Sequence, residues 1–73
     1  MANPFFELKL DQHTKMWECT VITPKPMPDE FIVEIKCEPE QSRHHLKRHF
    51  FSKSGATRWG NEVVQKVLKE NNG

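Results

Sequence analysis

The chain has 73 residues, with 11 Lys or Arg against 10 Asp or Glu and only two cysteines. This length predicts one small domain, the net charge of +1 gives no reason by itself to expect a polyanionic partner, and two cysteines exclude a disulfide framework. The first four residues lack the features of a signal peptide, and no apolar run approaches the roughly 20 residues of a membrane span. We expect a single domain over residues 1–70, a frayed tail at 71–73 and no membrane partner.

Two segments near the start of the chain alternate apolar and polar side chains, as a strand with one buried face does. They cover residues 5–10 and 15–23, and a short turn that begins at Asp11 separates them. We therefore predict an antiparallel hairpin. Its expected buried rows are Phe6, Leu8 and Leu10 in the first strand and Trp17, Cys19 and Val21 in the second.

A third alternating segment follows a loop with three prolines at residues 24–29. The prolines favour an extended loop, and the alternative for this loop is a Pro-rich recognition segment. In residues 31–37, Phe31, Val33 and Ile35 fall on one side of an extended chain with Cys37. This pattern predicts a strand over residues 30–37 that completes a three-stranded meander.

After Pro39 and Glu40 the pattern becomes helical. Leu46 and Phe50 are four residues apart and mostly polar residues surround them, which predicts an amphipathic helix over residues 41–51. A second helix is expected from a cap at Ser54 or Thr57. Its apolar face carries Trp59, Val63 and Val67.

These elements predict an α+β fold in which a three-stranded antiparallel meander is followed by two helices packed on one face. The predicted core positions are Phe6, Leu8, Leu10, Trp17, Cys19, Val21, Val33, Ile35, Leu46, Phe50 and Val67.

Charge is divided unevenly between the two parts of the chain. Residues 1–40 carry four Lys and eight acidic residues, whereas residues 41–73 carry seven Lys or Arg and two Glu. Between Arg43 and Arg58 there are five Lys or Arg, three His and no acidic residue. This basic run predicts either a docking face for an acidic partner or attraction between the two halves within the fold.

Candidate metal and catalytic groups are sparse. Cys19, Cys37, His45 and His49 could ligate a soft metal, but the two cysteines lack the close spacing of structural zinc sites. A cysteine within a strand is normally an inert, buried thiol. We therefore predict no metal, no cofactor and no catalytic residue.

The whole chain resembles the small RNA polymerase-binding transcription inhibitors and antiterminators of lytic Xanthomonas bacteriophages. The resemblance rests on the opening residues Met1-Ala2-Asn3-Pro4-Phe5-Phe6-Glu7-Leu8 and on a basic, then helical, second half. It implies docking on the large subunits of bacterial RNA polymerase, in the host bacterial cytoplasm. It also implies inhibition of promoter-dependent initiation and promotion of antitermination.

The alternative function is a small nucleic-acid-binding module that uses the basic segment 43–58, because cationic side chains beside aromatic rings suit phosphates and unstacked bases. Under either function the candidate contact residues share positive charge or exposed aromatic character. They are Arg43, His44, Lys47, Arg48, Lys53, Arg58, Phe5 and Phe6.

Overall fold

The computed structural model describes residues 3–38 and 42–72, apart from the side chains at 71 and 72. The elements follow the order β1 (Phe5–Leu10), β2 (Trp17–Ile22), α1 (Asp29–Glu34), β3 (His45–Phe50) and α2 (Lys53–Asn72). The strands form one antiparallel sheet in the order β1-β2-β3. The predicted α+β class, with three antiparallel strands and two helices, is therefore confirmed.

The first hairpin agrees with its prediction. β1 has the expected bounds, and β2 lies within the expected segment. In the turn, the Asp11 carboxylate accepts the backbone N–H groups of His13 at 2.8 Å and Thr14 at 3.2 Å. These two hydrogen bonds favour the charged form and lower the pKa of Asp11. Lys15 closes the turn with a positive φ of 62°.

The predicted third strand at residues 30–37 is wrong, because residues 29–34 form the helix α1. Pro28 stands at the N-cap position, and two acidic residues, Asp29 and Glu30, occupy the first turn. Acidic side chains suit the positive end of a helix. Phe31 and Ile35 are buried, whereas Val33 is 75% exposed. This pattern fits a helix, because a strand would place all three side chains on the same side.

The end of α1 is fixed by its backbone. Lys36 adopts the left-handed region with a φ of 59°. Its N–H donates to the carbonyl of Val33 at 3.1 Å, and the N–H of Cys37 donates to the carbonyl of Ile32 at 3.2 Å. This pair of bonds is a Schellman motif, in which glycine is the usual left-handed residue. Cys37 therefore lies just after a helix and not within a strand.

The predicted helix over residues 41–51 is also wrong. Residues 45–50 form β3, which pairs with β2 so that Leu46 lies opposite Val21 and Phe50 opposite Trp17. Residues four apart share a side in both a helix and a strand, so the spacing of Leu46 and Phe50 fits either structure. The expected helix start at Pro39 and Glu40 lies outside the described residues.

The second helix is confirmed, with a different start. α2 begins at Lys53, and the Ser52 hydroxyl caps it by accepting the N–H of Gly55 at 3.1 Å. This is the usual geometry of an N-cap serine, so neither Ser54 nor Thr57 is the cap. The buried face of the helix carries Ala56, Trp59, Val63 and Val67.

The two helices occupy different places. α2 contacts all three strands and covers the sheet face that carries Cys19, Val21 and Leu46. α1 is joined to α2 by the Trp59 indole N–H, which donates to the carbonyl of Ile35 at 2.9 Å. On either side of α1, the N–H of Met27 donates to the carbonyl of Arg43, and the N–H of Glu38 donates to the carbonyl of Lys47 in β3. The sequence predicted that both helices pack on one face of the sheet. In the structure they are not clearly packed on one face.

The core is centred on the sheet face beneath α2. Cys19, Val21, Ile35, Leu46 and Val67 are buried as predicted. The predicted core residues that are only partly buried are Phe6, Leu8, Leu10, Trp17 and Phe50. Within the described ranges, no helix is both long and apolar enough to cross a membrane.

Gly60 allows the closest approach between α2 and β1. A Cβ atom added there would lie 2.7 Å from carbon atoms of the Phe6 ring. We predict that Gly60→Ala destabilises the protein by roughly 1–3 kcal/mol through overpacking, which outweighs the gain in helix propensity. In a Phe6→Ala background the same substitution should stabilise by about 1 kcal/mol. A double-mutant cycle of urea unfolding measures both values, and equal effects in the two backgrounds would contradict this packing.

Ile35 and Val33 distinguish the observed helix from the predicted strand, which would bury both. Ile35 is 5% exposed and Val33 is 75% exposed. We predict that Ile35→Ala costs roughly 2–5 kcal/mol of unfolding free energy. Val33→Ala should change it by less than about 0.5 kcal/mol. Similar losses in thermal or urea unfolding would show that Val33 is packed as well.

Candidate functional site

One face of the sheet has no helix over it among the residues that the structure describes. We call it the open face, and strand alternation together with the register places nine residues on it. They are Phe5, Glu7 and Lys9 from β1, Glu18, Thr20 and Ile22 from β2, and His45, Lys47 and His49 from β3. Because a sheet is more rigid than a loop, these side chains have fixed relative positions.

An apolar row lies at one end of the open face. Phe5 is paired with Ile22, and Ile22 is paired with His45. The Phe5 side chain is one of the few large apolar side chains at the surface, with 51% of its area exposed. Buried Pro4 precedes it. This row presents an aromatic ring to solvent beside an aliphatic side chain and an imidazole.

A network of charges lies at the opposite end. The Glu18 carboxylate is 3.0 Å from Lys47 Nζ and 3.6 Å from His49 Nε2. The other ring nitrogen of His49, Nδ1, is 2.9 Å from the Glu38 carboxylate. The imidazole thus lies between two carboxylates, within hydrogen-bonding distance of Glu38 and at a longer, ion-pair distance from Glu18.

Glu38 also covers the outer edge of β3. Its backbone N–H donates to the carbonyl of Lys47 at 2.9 Å, and its carboxylate accepts the backbone N–H of His49 at 2.8 Å. Just before β3 begins, the N–H of Met27 donates to the carbonyl of Arg43 at 3.1 Å. These bonds satisfy polar groups that an edge strand otherwise exposes.

Arg43 and His44, two of the predicted contact residues, lie in the turn before β3. The Arg43 guanidinium forms an ion pair with Asp29 and donates to the carbonyl of Met27 at 3.1 Å. His44 Nδ1 is 3.4 Å from the carbonyl of Thr23. Both side chains therefore tie the turn to the connection between β2 and α1.

Phe6 and Arg48 lie on the face that α2 covers, so they are separated from Phe5 and Lys47 by the thickness of the sheet. Phe6 packs against Gly60, and Arg48 lies opposite Cys19 in the register. The Arg48 guanidinium is 5.1 Å from the centre of the Phe50 ring, a distance at which a cation and a ring attract each other.

The last two predicted contact residues, Lys53 and Arg58, lie on α2. Lys53 Nζ is 5.4 Å from the centre of the Trp17 ring, and Arg58 is exposed. Both line a shallow groove on the outer surface of the helix with Thr57 and Asn61. The eight predicted residues are therefore spread over the open face, the β3 turn, the covered face and α2, and do not form one surface.

Two of the five Lys or Arg residues of the basic run, Arg43 and Lys47, are paired with carboxylates within the fold. Among the described residues, every ion pair joins an acidic residue of positions 1–40 to a basic residue or histidine of positions 41–73. Examples are Arg43 with Asp29, Lys47 with Glu18 and Lys66 with Glu34. Of the two predicted explanations for the charge asymmetry, attraction between the halves is the one that these contacts support.

The two thiols are free, and Cys19 does not face the histidines of the open face. Cys19 is on the covered face, and burial raises its pKa to about 11. Burial also raises the pKa of Cys37. His45 and His49 lie on the opposite face from Cys19. Over the described ranges no cluster of three or more His, Cys, Asp or Glu side chains could hold a metal ion.

Sequence reasoning missed Ile22 and Thr20 on the open face and Glu38 at the edge of β3. Ile22 lies outside the predicted buried row of its strand, and its accessibility depends on α2 covering only the other face. The signal for β3 was the alternation of His45, Lys47 and His49 with Leu46, Arg48 and Phe50. Glu38 carried no local signal, because its role depends on a contact 11 residues away.

Comparison with protein-family models, with curated proteins and with solved structures gives no match to this chain.

Glu38 provides a test of the β3 edge. We predict that Glu38→Ala lowers the unfolding free energy by roughly 1–3 kcal/mol, because it leaves the N–H and ring of His49 without their charged acceptor. Hydrogen exchange at the His49 amide should become faster. The matched control is Glu62→Ala, since Glu62 is exposed and makes no hydrogen bond or ion pair among the described contacts. Equal losses in the two variants would argue against a special role for Glu38.

Proposed function

We propose that this chain acts by binding another protein, and that its partner is bacterial RNA polymerase, contacted through the large subunits. Binding inhibits promoter-dependent initiation and promotes antitermination in the cytoplasm of the host bacterium. The polymerase enters this proposal through the resemblance of the chain to the phage regulators. The preference for a protein over a nucleic acid comes from the distribution of charge, and no residue is proposed to be catalytic.

The partial pairing of the basic run within the fold is the observation that carries this preference. Binding to a phosphate backbone gains free energy when unpaired cations displace counterions. In this chain Arg43 and Lys47 are already paired with carboxylates, and Arg48 lies on the covered face. Fewer cations of the run therefore remain for phosphates than the sequence alone suggests.

The open face has the composition of a protein-binding surface. It carries two Lys, Lys9 and Lys47, and two acidic residues, Glu7 and Glu18. A balanced set of charges gives little attraction for a polyanion, whereas protein interfaces commonly combine an apolar centre with a polar rim. The apolar row that begins at Phe5 supplies such a centre.

Phe5 is the proposed anchor of the contact. Aromatic side chains that enter a pocket of the partner contribute a large share of the binding free energy in many interfaces. Phe5 combines an exposed ring with a strand backbone paired to β2, so little conformational entropy is lost when it binds.

We predict that Phe5→Ala weakens binding to purified RNA polymerase by roughly 30-fold, as loss of an aromatic hot spot does. Inhibition of promoter-dependent transcription in the purified system should fall in parallel. Because half of the Phe5 side chain is exposed, circular dichroism and thermal unfolding should still show a folded protein. The assay is fluorescence anisotropy of labelled protein titrated with polymerase.

Phe51→Ala is the matched control, because Phe51 is 91% exposed. It directly follows the last residue of β3, whereas His45, next to the Phe5 row, is the first. The substitution removes a similar apolar side chain at a distance from the Phe5 row. Full activity of folded Phe5→Ala, or equal losses in both variants, would contradict the proposed anchor.

A second assay separates protein binding from nucleic-acid binding. Duplex DNA without polymerase should show no salt-sensitive mobility shift with the wild-type protein. Tight DNA binding that is lost in a Lys53→Glu/Arg58→Glu variant would overturn the proposal. It would instead favour the nucleic-acid module, with the outer surface of α2 as its contact.

A further inference from the structure

We propose that two copies of this chain associate through their β1 strands, which joins two three-stranded sheets into one six-stranded sheet. The proposal concerns an edge of the sheet and does not depend on the proposed function. It starts from a difference in backbone hydrogen bonding between the outer sides of β1 and β3.

The edge of β3 is covered, whereas the edge of β1 is open. Glu38 supplies hydrogen bonds to the outer side of β3, and Met27 bonds to Arg43 in the turn just before the strand. Among the described residues, no corresponding backbone bond reaches the outer side of β1. An uncovered edge strand presents unpaired N–H and C=O groups that can pair with a further strand.

Backbone alternation identifies the groups on this open edge. Asp11 N–H donates to the carbonyl of Met16 at 2.9 Å, so Asp11 bonds toward β2. In an antiparallel ladder, successive residues bond alternately to the two sides. Phe6, Leu8 and Leu10 therefore direct their backbone polar groups outward, to where a second strand would lie.

The charges of β1 match those of a second copy in one register. When the two-fold axis passes through Leu8, each Leu8 lies opposite Leu8 of the second copy. Each Glu7 then lies opposite Lys9 of the second copy, and each Lys9 opposite Glu7. Directly opposite residues lie on the same side of an antiparallel sheet, so this register forms two symmetric ion pairs on the open face.

Neighbouring registers place like charges together. With the axis at Glu7, the two Glu7 carboxylates face each other, and with the axis at Lys9 the two Lys9 ammonium groups do. Like charges directly opposite destabilise a strand pair. A shift that pairs odd with even positions places Glu7 and Lys9 opposite the apolar side chains of Phe6, Leu8 or Leu10. The register at Leu8 is therefore favoured over both neighbours.

The covered side of β1 favours the same partner. Phe6, Leu8 and Leu10 are only partly buried in one copy. In the register at Leu8, each Phe6 lies opposite Leu10 of the second copy, so three apolar pairs gain cover. Because one strand pair buries a small interface, the dimer should be weak and dependent on concentration.

Sedimentation equilibrium of the full chain tests the proposal. The wild-type mass should rise with concentration from 8.6 kDa to twice that value. Glu7→Lys should weaken association by roughly tenfold or more, because two attractive pairs become repulsive. Glu30→Lys is the matched control, since it makes the same charge change at exposed Glu30 in α1, on the β3 side of the sheet, and should leave association unchanged.

A mixing experiment supplies the charge-reversal test. Lys9→Glu should also weaken self-association, but an equimolar mixture of Glu7→Lys and Lys9→Glu should associate as well as the wild type. In the mixed dimer, the lysine introduced at position 7 faces the glutamate introduced at position 9, and the original Lys9 of one chain faces the original Glu7 of the other. Amide spectra of each variant alone show whether it is folded. The double variant Glu7→Lys/Lys9→Glu provides the same rescue within one chain.

Isotope-filtered NMR measures the register itself. A mixture of labelled and unlabelled wild-type chains should show a contact between the α-protons of Glu7 and Lys9 of different copies. A wild-type protein that stays monomeric at millimolar concentration would overturn the proposal. So would a dimer that is insensitive to Glu7→Lys or lacks this contact. Protection of the Leu8 amide only when polymerase is added would assign the β1 edge to a partner's strand and would equally overturn self-pairing.

Discussion

A three-stranded sheet has two faces and two edges, and α2, the longer of the two described helices, covers one face. α2 runs for 20 residues across all three strands and packs its apolar side on Val21 and Leu46. The segment that contains α1 contributes Phe31 and Ile35 to the same core and ends beside the edge of β3, where Glu38 bonds to Lys47. Among the described residues no further helix or strand lies over the open face or along β1, so both stay accessible.

The basic run shows how a strand divides a charged sequence. Successive side chains point to opposite faces, so Lys47 and Arg48 are neighbours in sequence and lie on opposite sides of the sheet. The acidic first half of the chain then meets the cations at both the turn and the open face. Exposed pairs of this kind contribute about 0–1 kcal/mol each, so their main consequence is the electrostatic character of the surface. They convert an apparently cationic segment into a mixed one.

The two accessible features of the sheet serve different kinds of contact. The open face offers fixed side chains, with an aromatic ring at one end and a carboxylate–histidine network at the other. The β1 edge offers backbone hydrogen bonds, for which specificity arises only from the side chains flanking the strand. Glu7 and Lys9 belong to both features, because they stand on the open face and next to the edge. Association through the edge would therefore extend the open face without covering it.

The sequence by itself determined the hairpin, the apolar side of α2 and the α+β class, because each depends on a local pattern with one interpretation. It did not determine α1 and β3. Phe31 and Ile35, like Leu46 and Phe50, are four residues apart, and that spacing puts both members on one side of a helix and also of a strand. The acidic pair after Pro28 was a local helix signal, but pairing of residues 45–50 with β2 is a long-range choice. The candidate site was likewise decided by tertiary structure: whether Arg43, Lys47 or Phe5 is neutralised, paired or exposed depends on which distant strand, turn or helix lies beside it.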